Sequence, residues 1–228
     1  MSELNLPAIV VNFKTYIEST GENAFTLAKI CEQVSTQKKV NIVAVPQFTD
    51  LQHIADKTTI SIFSQHIDHI KPGSHTGHIL PEAVKTTGAT GTLINHSERK
   101  LSINDIENSI NRAKENNLTT IVCADTPKIC KTIATFQPDS IAIEPPELIG
   151  TGISVSKAKP EIVTGAVESV ATIDKSIPVL CGAGISTGND VYAALKLGTQ
   201  GVLLASGVVK SKEPANILTE MANALRPQ

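Results

Sequence analysis

The sequence predicts a (β/α)8 barrel, and three observations carry that expectation. Eight short β-branched runs recur along the 228 residues, segments with helical spacing separate most of them, and no GxGxxG follows the first run. Regular strand–helix alternation implies right-handed βαβ units and a parallel sheet. A doubly wound sheet meets the same pattern, but eight repeats without a dinucleotide fingerprint favour a closed barrel.

The strand runs are AIVVNF at 8 to 13, VNIVAVP at 40 to 46, TISIFSQ at 59 to 65 and TGTLINH at 90 to 96. They continue with TTIVCAD at 119 to 125, SIAIEP at 140 to 145, IPVLCG at 177 to 182 and GVLLAS at 201 to 206. Helical spacing occupies 21 to 34, 102 to 116 and 190 to 198, and the helix near 48 to 56 has room to be only short. The length sits near the lower end of the fold's range, so a single domain over 1–228 with trimmed outer helices is expected.

Composition narrows the function. The formal net charge is -2, with acidic and basic residues interspersed, so no basic stripe offers itself to nucleic acid or to an anionic membrane. The opening MSELNLPAIVV carries Glu3 in place of a cationic leader, and no apolar run reaches membrane-span length. A cytoplasmic protein is expected. Cys31, Cys123, Cys130 and Cys181 form no CxxC pair, and three of them lie in apolar runs, which predicts free thiols.

Barrel enzymes place their chemistry at the C-terminal ends of strands. Here SIAI runs into Glu144, followed by Pro145-Pro146 and a stretch closing Gly150-Thr151-Gly152, which suggests a general base beneath a hinged lid. The run TGTLI ends in Asn95, His96, Ser97, Glu98 and Arg99, making His96 a candidate electrophile or acid. The first run delivers Asn12 and Lys14 to one face by alternation, and Lys14 reads as a fixed cation for an anionic substrate. Runs seven and eight end in CGAGIST and LLASGVV, where small residues let backbone N–H groups approach a phosphate. Another phosphate-binding barrel, such as a lyase or synthase, would share those last two loops, and a noncatalytic sugar-phosphate sensor is the alternative outside enzymes.

His66, His69, His75 and His78 in SQHIDHIKPGSHTGH have ligand-like spacing. Pro72, Gly73 and the lack of nearby cysteines weigh against zinc, and no metal is expected.

The segments NFK, NHSERK, EPPELIGTG, CGAG and LLASG, in this order across residues 8 to 225, resemble the triosephosphate isomerase family, especially its short archaeal type. Longer members have YGGS in place of CGAG, a lid Trp where this chain has Glu147, and Gly-Gly in place of Ala205-Ser206. The resemblance implies a TIM barrel interconverting dihydroxyacetone phosphate and D-glyceraldehyde 3-phosphate through an enediol(ate), in glycolysis and gluconeogenesis, without cofactor or metal. It implies Glu144 as the base, His96 as the neutral electrophile and Lys14 as the electrostatic anchor, with Asn12 and Phe13 beside the substrate. Ile149, Gly150, Gly184, Ala205 and Ser206 would take the phosphate. Glu98 would pair with Lys14, Ser97 would hold Glu144 in an open state, and Arg99 would give structural support. The loop at 66 to 78 would reach into a second copy, bringing Thr76 near that copy's Asn12, so a homo-oligomer with a dimer unit is implied and a tetramer is allowed.

Overall fold

Each β-branched run forms a strand whose alternate residues face opposite ways, and the inward set meets at the barrel axis. A computed structural model describes residues 4–145 and 155–225, with the backbone alone at 155 and 157. Eight parallel strands close in sequence order, β1 (Ala8–Asn12), β2 (Asn41–Val45), β3 (Ser61–Ser64), β4 (Gly91–Ile94), β5 (Thr119–Ala124), β6 (Ser140–Ile143), β7 (Val179–Gly182) and β8 (Gly201–Leu204). Ala8 pairs with Asn41 on one side and with Gly201 on the other, which seals the cylinder.

Val10, Val43, Phe63, Leu93, Ile121, Ala142, Leu180 and Leu203 form the interior cluster. Side chains of this kind contribute about 1.5–3 kcal/mol each when buried. Gly91 is needed beside Phe63, because a Cβ there would stand 2.5 Å from the ring Cζ. The opposite parity, Ile9, Val11, Ile42 and Ala44, packs outward with helix residues such as Leu27, Leu218 and Met221, while Ile141 and Ile143 pack with Ile133 and Ala166.

The helices are α1 (Glu22–Lys38), α2 (Leu51–Ala55), α3 (Pro81–Thr86), α4 (Ile103–Glu115) and α5 (Pro127–Ala134), then α6 (Val155–Ala158), α7 (Pro160–Ala171), α8 (Gly188–Lys196), α9 (Ser206–Val209) and α10 (Pro214–Ala224). The outer ring is trimmed, with α2 five residues long and α3 six. Side-chain caps fix several helix starts on the face where the strands end. Ser102 Oγ accepts from Asp105 N–H, Thr126 Oγ1 accepts from Ile129 N–H ahead of Pro127, and Thr187 forms a capping box with Asp190. Among the described residues no helix is long and apolar enough to cross a membrane.

Candidate active site

The interior parity does not stop where the strands do. Counting two residues on from Val10, Ala142, Leu180 and Leu203 arrives at Asn12, Glu144, Gly182 and Ala205, so the layer above the core is polar or small. Asn12, Lys14, His96, Glu144, Gly184 and Ser206 all line one cavity of about 290 Å³ at that end of the barrel.

Lys14 reaches the cavity by a different route from simple alternation. β1 ends at Asn12, and Lys14 has φ 50°, the left-handed region that costs a non-glycine residue roughly 1–2 kcal/mol. Two hydrogen bonds hold that backbone. Lys14 N–H donates to Asn12 Oδ1 at 2.9 Å, and Gln65 Nε2 donates to the Lys14 carbonyl at 2.9 Å. The side chain is mostly buried and its ammonium lies 2.7 Å from Glu98 Oε1. Phe13, on the opposite parity, is fully buried in the layer between barrel and helices and does not line the cavity. Its side chain is core.

His96 is presented by a turn that Asn95 shapes, with φ 60° and both ends of its amide engaged. Nδ2 donates to the Cys123 carbonyl and Oδ1 accepts from Leu101 N–H, each at 2.8 Å. Glu98 N–H donates to His96 Nδ1 at 3.2 Å. A ring nitrogen that accepts from an amide carries no proton, so this geometry places the imidazole proton on Nε2. That nitrogen stands 3.8 Å from Glu144 Oε1.

Glu144 is 4% exposed, and its Oε2 has no hydrogen-bond partner among the described residues. A buried carboxylate oxygen without a donor is costly, so it has much to gain from a donor supplied by a ligand. Gly182 makes its position possible, since a Cβ there would fall 2.3 Å from Glu144 Cγ. Ser97 shares a second cavity with Glu144, and among the described residues no hydrogen bond joins the two. Cys123 lies on the same wall, where burial first, and then the Glu144 carboxylate, pushes its thiol far up. Ile149 and Gly150, with the rest of the stretch after Pro145, lie outside the described residues.

Ala183 and Gly184 both take left-handed φ values, 75° and 73°, turning the chain after β7 toward the cavity. After β8, Ala205 leads into the short α9, whose first N–H groups have no intrahelical acceptor. The two loops touch closely, because a Cβ on Gly207 would be 2.9 Å from the Ile185 carbonyl.

The histidines of the 66–78 loop are dispersed. His66 is buried with Nε2 3.0 Å from Asp68 Oδ1, His69 faces Asp105 at 3.7 Å, and the His75 and His78 rings stack edge-on at 5.9 Å. Among the described residues no group of three or more His, Cys, Asp or Glu side chains is arranged to hold a metal. Residues 71–78, Thr76 included, are exposed, and the loop's base is fixed where Asp68 Oδ2 accepts from Ile79 N–H at 2.6 Å and Arg112 Nε donates to the Ile70 carbonyl at 2.9 Å. A third cavity beside the site, about 310 Å³, is lined by Lys14, Gln65, Phe48, Glu98 and Arg99.

Sequence reasoning did not pick out Gln65, Gly182 or Asp190. Gly182 stands in the CGAG segment read for phosphate, and its position at an inward strand end was the one available signal of its contact with Glu144. Nothing local marks Gln65, whose two acceptors lie on β2 and after β1.

The triosephosphate isomerase family model matches residues 7–222. The chain is 54% identical over 213 residues to a protein named triosephosphate isomerase from Methanocaldococcus jannaschii, covering 93% of this chain and 97% of that one. It is 49% identical to the one from Methanobrevibacter smithii, covering 97% and 100%, and 50% identical to that from Methanothermus fervidus, covering 96% and 98%.

Proposed function

Since the chain belongs to the triosephosphate isomerase family, we propose that it interconverts dihydroxyacetone phosphate and D-glyceraldehyde 3-phosphate with Glu144, His96 and Lys14 as its working groups. The observation that supports these roles best is the meeting of a buried carboxylate whose Oε2 has no partner among the described residues, an imidazole whose Nδ1 accepts from a backbone N–H and an ammonium held by Glu98, around one small cavity.

The Glu144 carboxylate takes a proton from the carbon beside the carbonyl. The C–H electron pair becomes a C=C bond, and the carbonyl π pair moves to oxygen. His96 Nε2–H donates to that oxygen and the Lys14 ammonium offsets its charge, interactions stronger in the enediolate than in the substrate. Glu144 then returns the proton to the neighbouring carbon, so one carboxylate serves both directions. Gly184, Ala205 and Ser206 offer backbone N–H groups to the phosphate, and a cavity of about 290 Å³ suits a triose phosphate.

The exposed 71–78 loop is read as the arm that completes a second copy's site, with Thr76 entering the cavity beside Lys14 and Glu98. The four unpaired cysteines suit a reducing cytoplasm. A coupled assay on purified protein stripped of metal by a chelator tests the reading. Turnover in both directions is expected, and no turnover by folded protein would overturn it.

A further inference from the structure

Asp190 lies in the first turn of α8, 3% exposed, with its carboxylate turned back toward the loop after β7. A single oxygen, Oδ2, accepts from four donors. These are Ser186 N–H at 3.1 Å, Ser186 Oγ at 3.2 Å, Thr187 N–H at 2.9 Å and Thr187 Oγ1 at 2.9 Å. A neutral amide oxygen satisfies two donors comfortably, whereas four converging on one atom call for a full negative charge.

Those donors belong to the residues that follow the left-handed Ala183–Gly184 turn on the cavity wall. Ser186 also meets the loop after β8, since a Cβ on Gly207 would lie 3.0 Å from Ser186 Cα. Fixing Ser186 therefore fixes both walls to which the phosphate reading assigns backbone N–H donors. Gly188 N–H, next in the chain, donates to Glu220 Oε1 at 2.9 Å, anchoring the far side of the turn on α10.

Resting on the phosphate reading above, we infer that Asp190 is a positioning residue for anion recognition, holding the two backbone loops at the spacing the substrate's phosphate needs while touching no substrate itself. Backbone donors gain their advantage from being set in place before the ligand arrives, so loosening them weakens binding of the anionic end more than it slows proton transfer.

The test is Asp190→Asn, measured for kcat, KM and competitive inhibition by inorganic phosphate, with a thermal melt on the same sample. KM and the phosphate inhibition constant are expected to rise together by about tenfold, the scale of one lost charge-assisted hydrogen bond, with kcat within about threefold. Asp190→Glu, which restores a carboxylate at that helix position, should recover part of the phosphate affinity. Unchanged KM and phosphate inhibition would overturn the inference, as would a fall in kcat and melting temperature without the split. If Asp190→Asn does not fold, Ser186→Ala and Thr187→Val each remove one side-chain donor, and each should raise both constants by about two- to threefold; no rise in either overturns the inference. An inactive wild-type protein would instead sink the isomerase reading, so the two failures are distinguishable.

Discussion

Gly182→Ala isolates the geometry of the proposed base, Glu144, because the substitution adds one methyl group and changes no functional atom. That Cβ would stand 2.3 Å from Glu144 Cγ, 2.9 Å from Oε1 and 3.0 Å from Cδ. Ordinary carbon contacts are about 3.5–4.0 Å, so the Glu144 side chain has to withdraw by about 1.4 Å. A misplacement on the order of 1 Å can cost about a hundredfold in rate, equivalent to about 2.7 kcal/mol of lost transition-state stabilisation. Overpacking a buried strand end adds about 1–3 kcal/mol of destabilisation, so turnover is to be measured on protein shown folded by its melt. The expected result is a kcat about a hundredfold lower in both directions with little change in KM. Glu144→Ala provides the internal control, since it removes Cγ and with it the clash, and the two losses should be less than additive. A Gly182→Ala enzyme with near-wild-type kcat would refute the placement of the carboxylate against β7.

Three other outcomes follow from the packing. Burial pushes the thiols of Cys31, Cys130 and Cys181 up to about 12 and that of Cys123 well above its usual value, so a disulfide reagent at pH 8 should modify none of them in the native protein and all four in denaturant; rapid reaction of the folded protein would contradict this. Burial chiefly holds His66 below its usual value, while Asp68, despite its own burial, is held low by Ile79 N–H and His66. Below about pH 6.5 the unfolded chain therefore takes a proton at residue 66 before the folded one does, and stability falls, with the Asp68 contribution lost further down as pH drops through its lowered folded value. The urea midpoint should fall less between pH 7 and pH 5 in His66→Gln than in wild type, and parallel profiles would reject the linkage. Replacing His75 and Thr76 together with aspartate should give monomers of much reduced activity by light scattering and assay, and a fully active monomer would remove the loop from the site.

The barrel was legible because β-branched runs and helical spacing are local properties, and all eight runs became strands in the expected order. The strand-end rule singled out Glu144 and His96 because apolar runs break into polar residues there. Lys14 was picked out with an incomplete reason. Alternation stops at Asn12, and a left-handed backbone held by Gln65 aims the lysine. Phe13 shows the cost of reading a motif as a block, since its neighbours face the cavity while it faces the helices. Gly182 and Asp190 owe their importance to Glu144 and Ser186, partners reached across strands or around a turn, and no single-residue pattern encodes such pairings. The hinged lid that the sequence predicts from Pro145 to Gly152 lies, from Pro146 on, outside the described residues.

The claim that Glu144 carries the substrate proton is tested most directly in deuterium oxide. Proton NMR of dihydroxyacetone phosphate with wild-type enzyme should show deuterium entering at the carbon beside the carbonyl as isomerisation proceeds. Glu144→Gln keeps the size of the side chain and removes its basicity, so both exchange and isomerisation should fall together by about a hundred- to ten-thousandfold. Deuterium entering at an undiminished rate with folded Glu144→Gln protein would assign the proton transfer to another group and contradict the account.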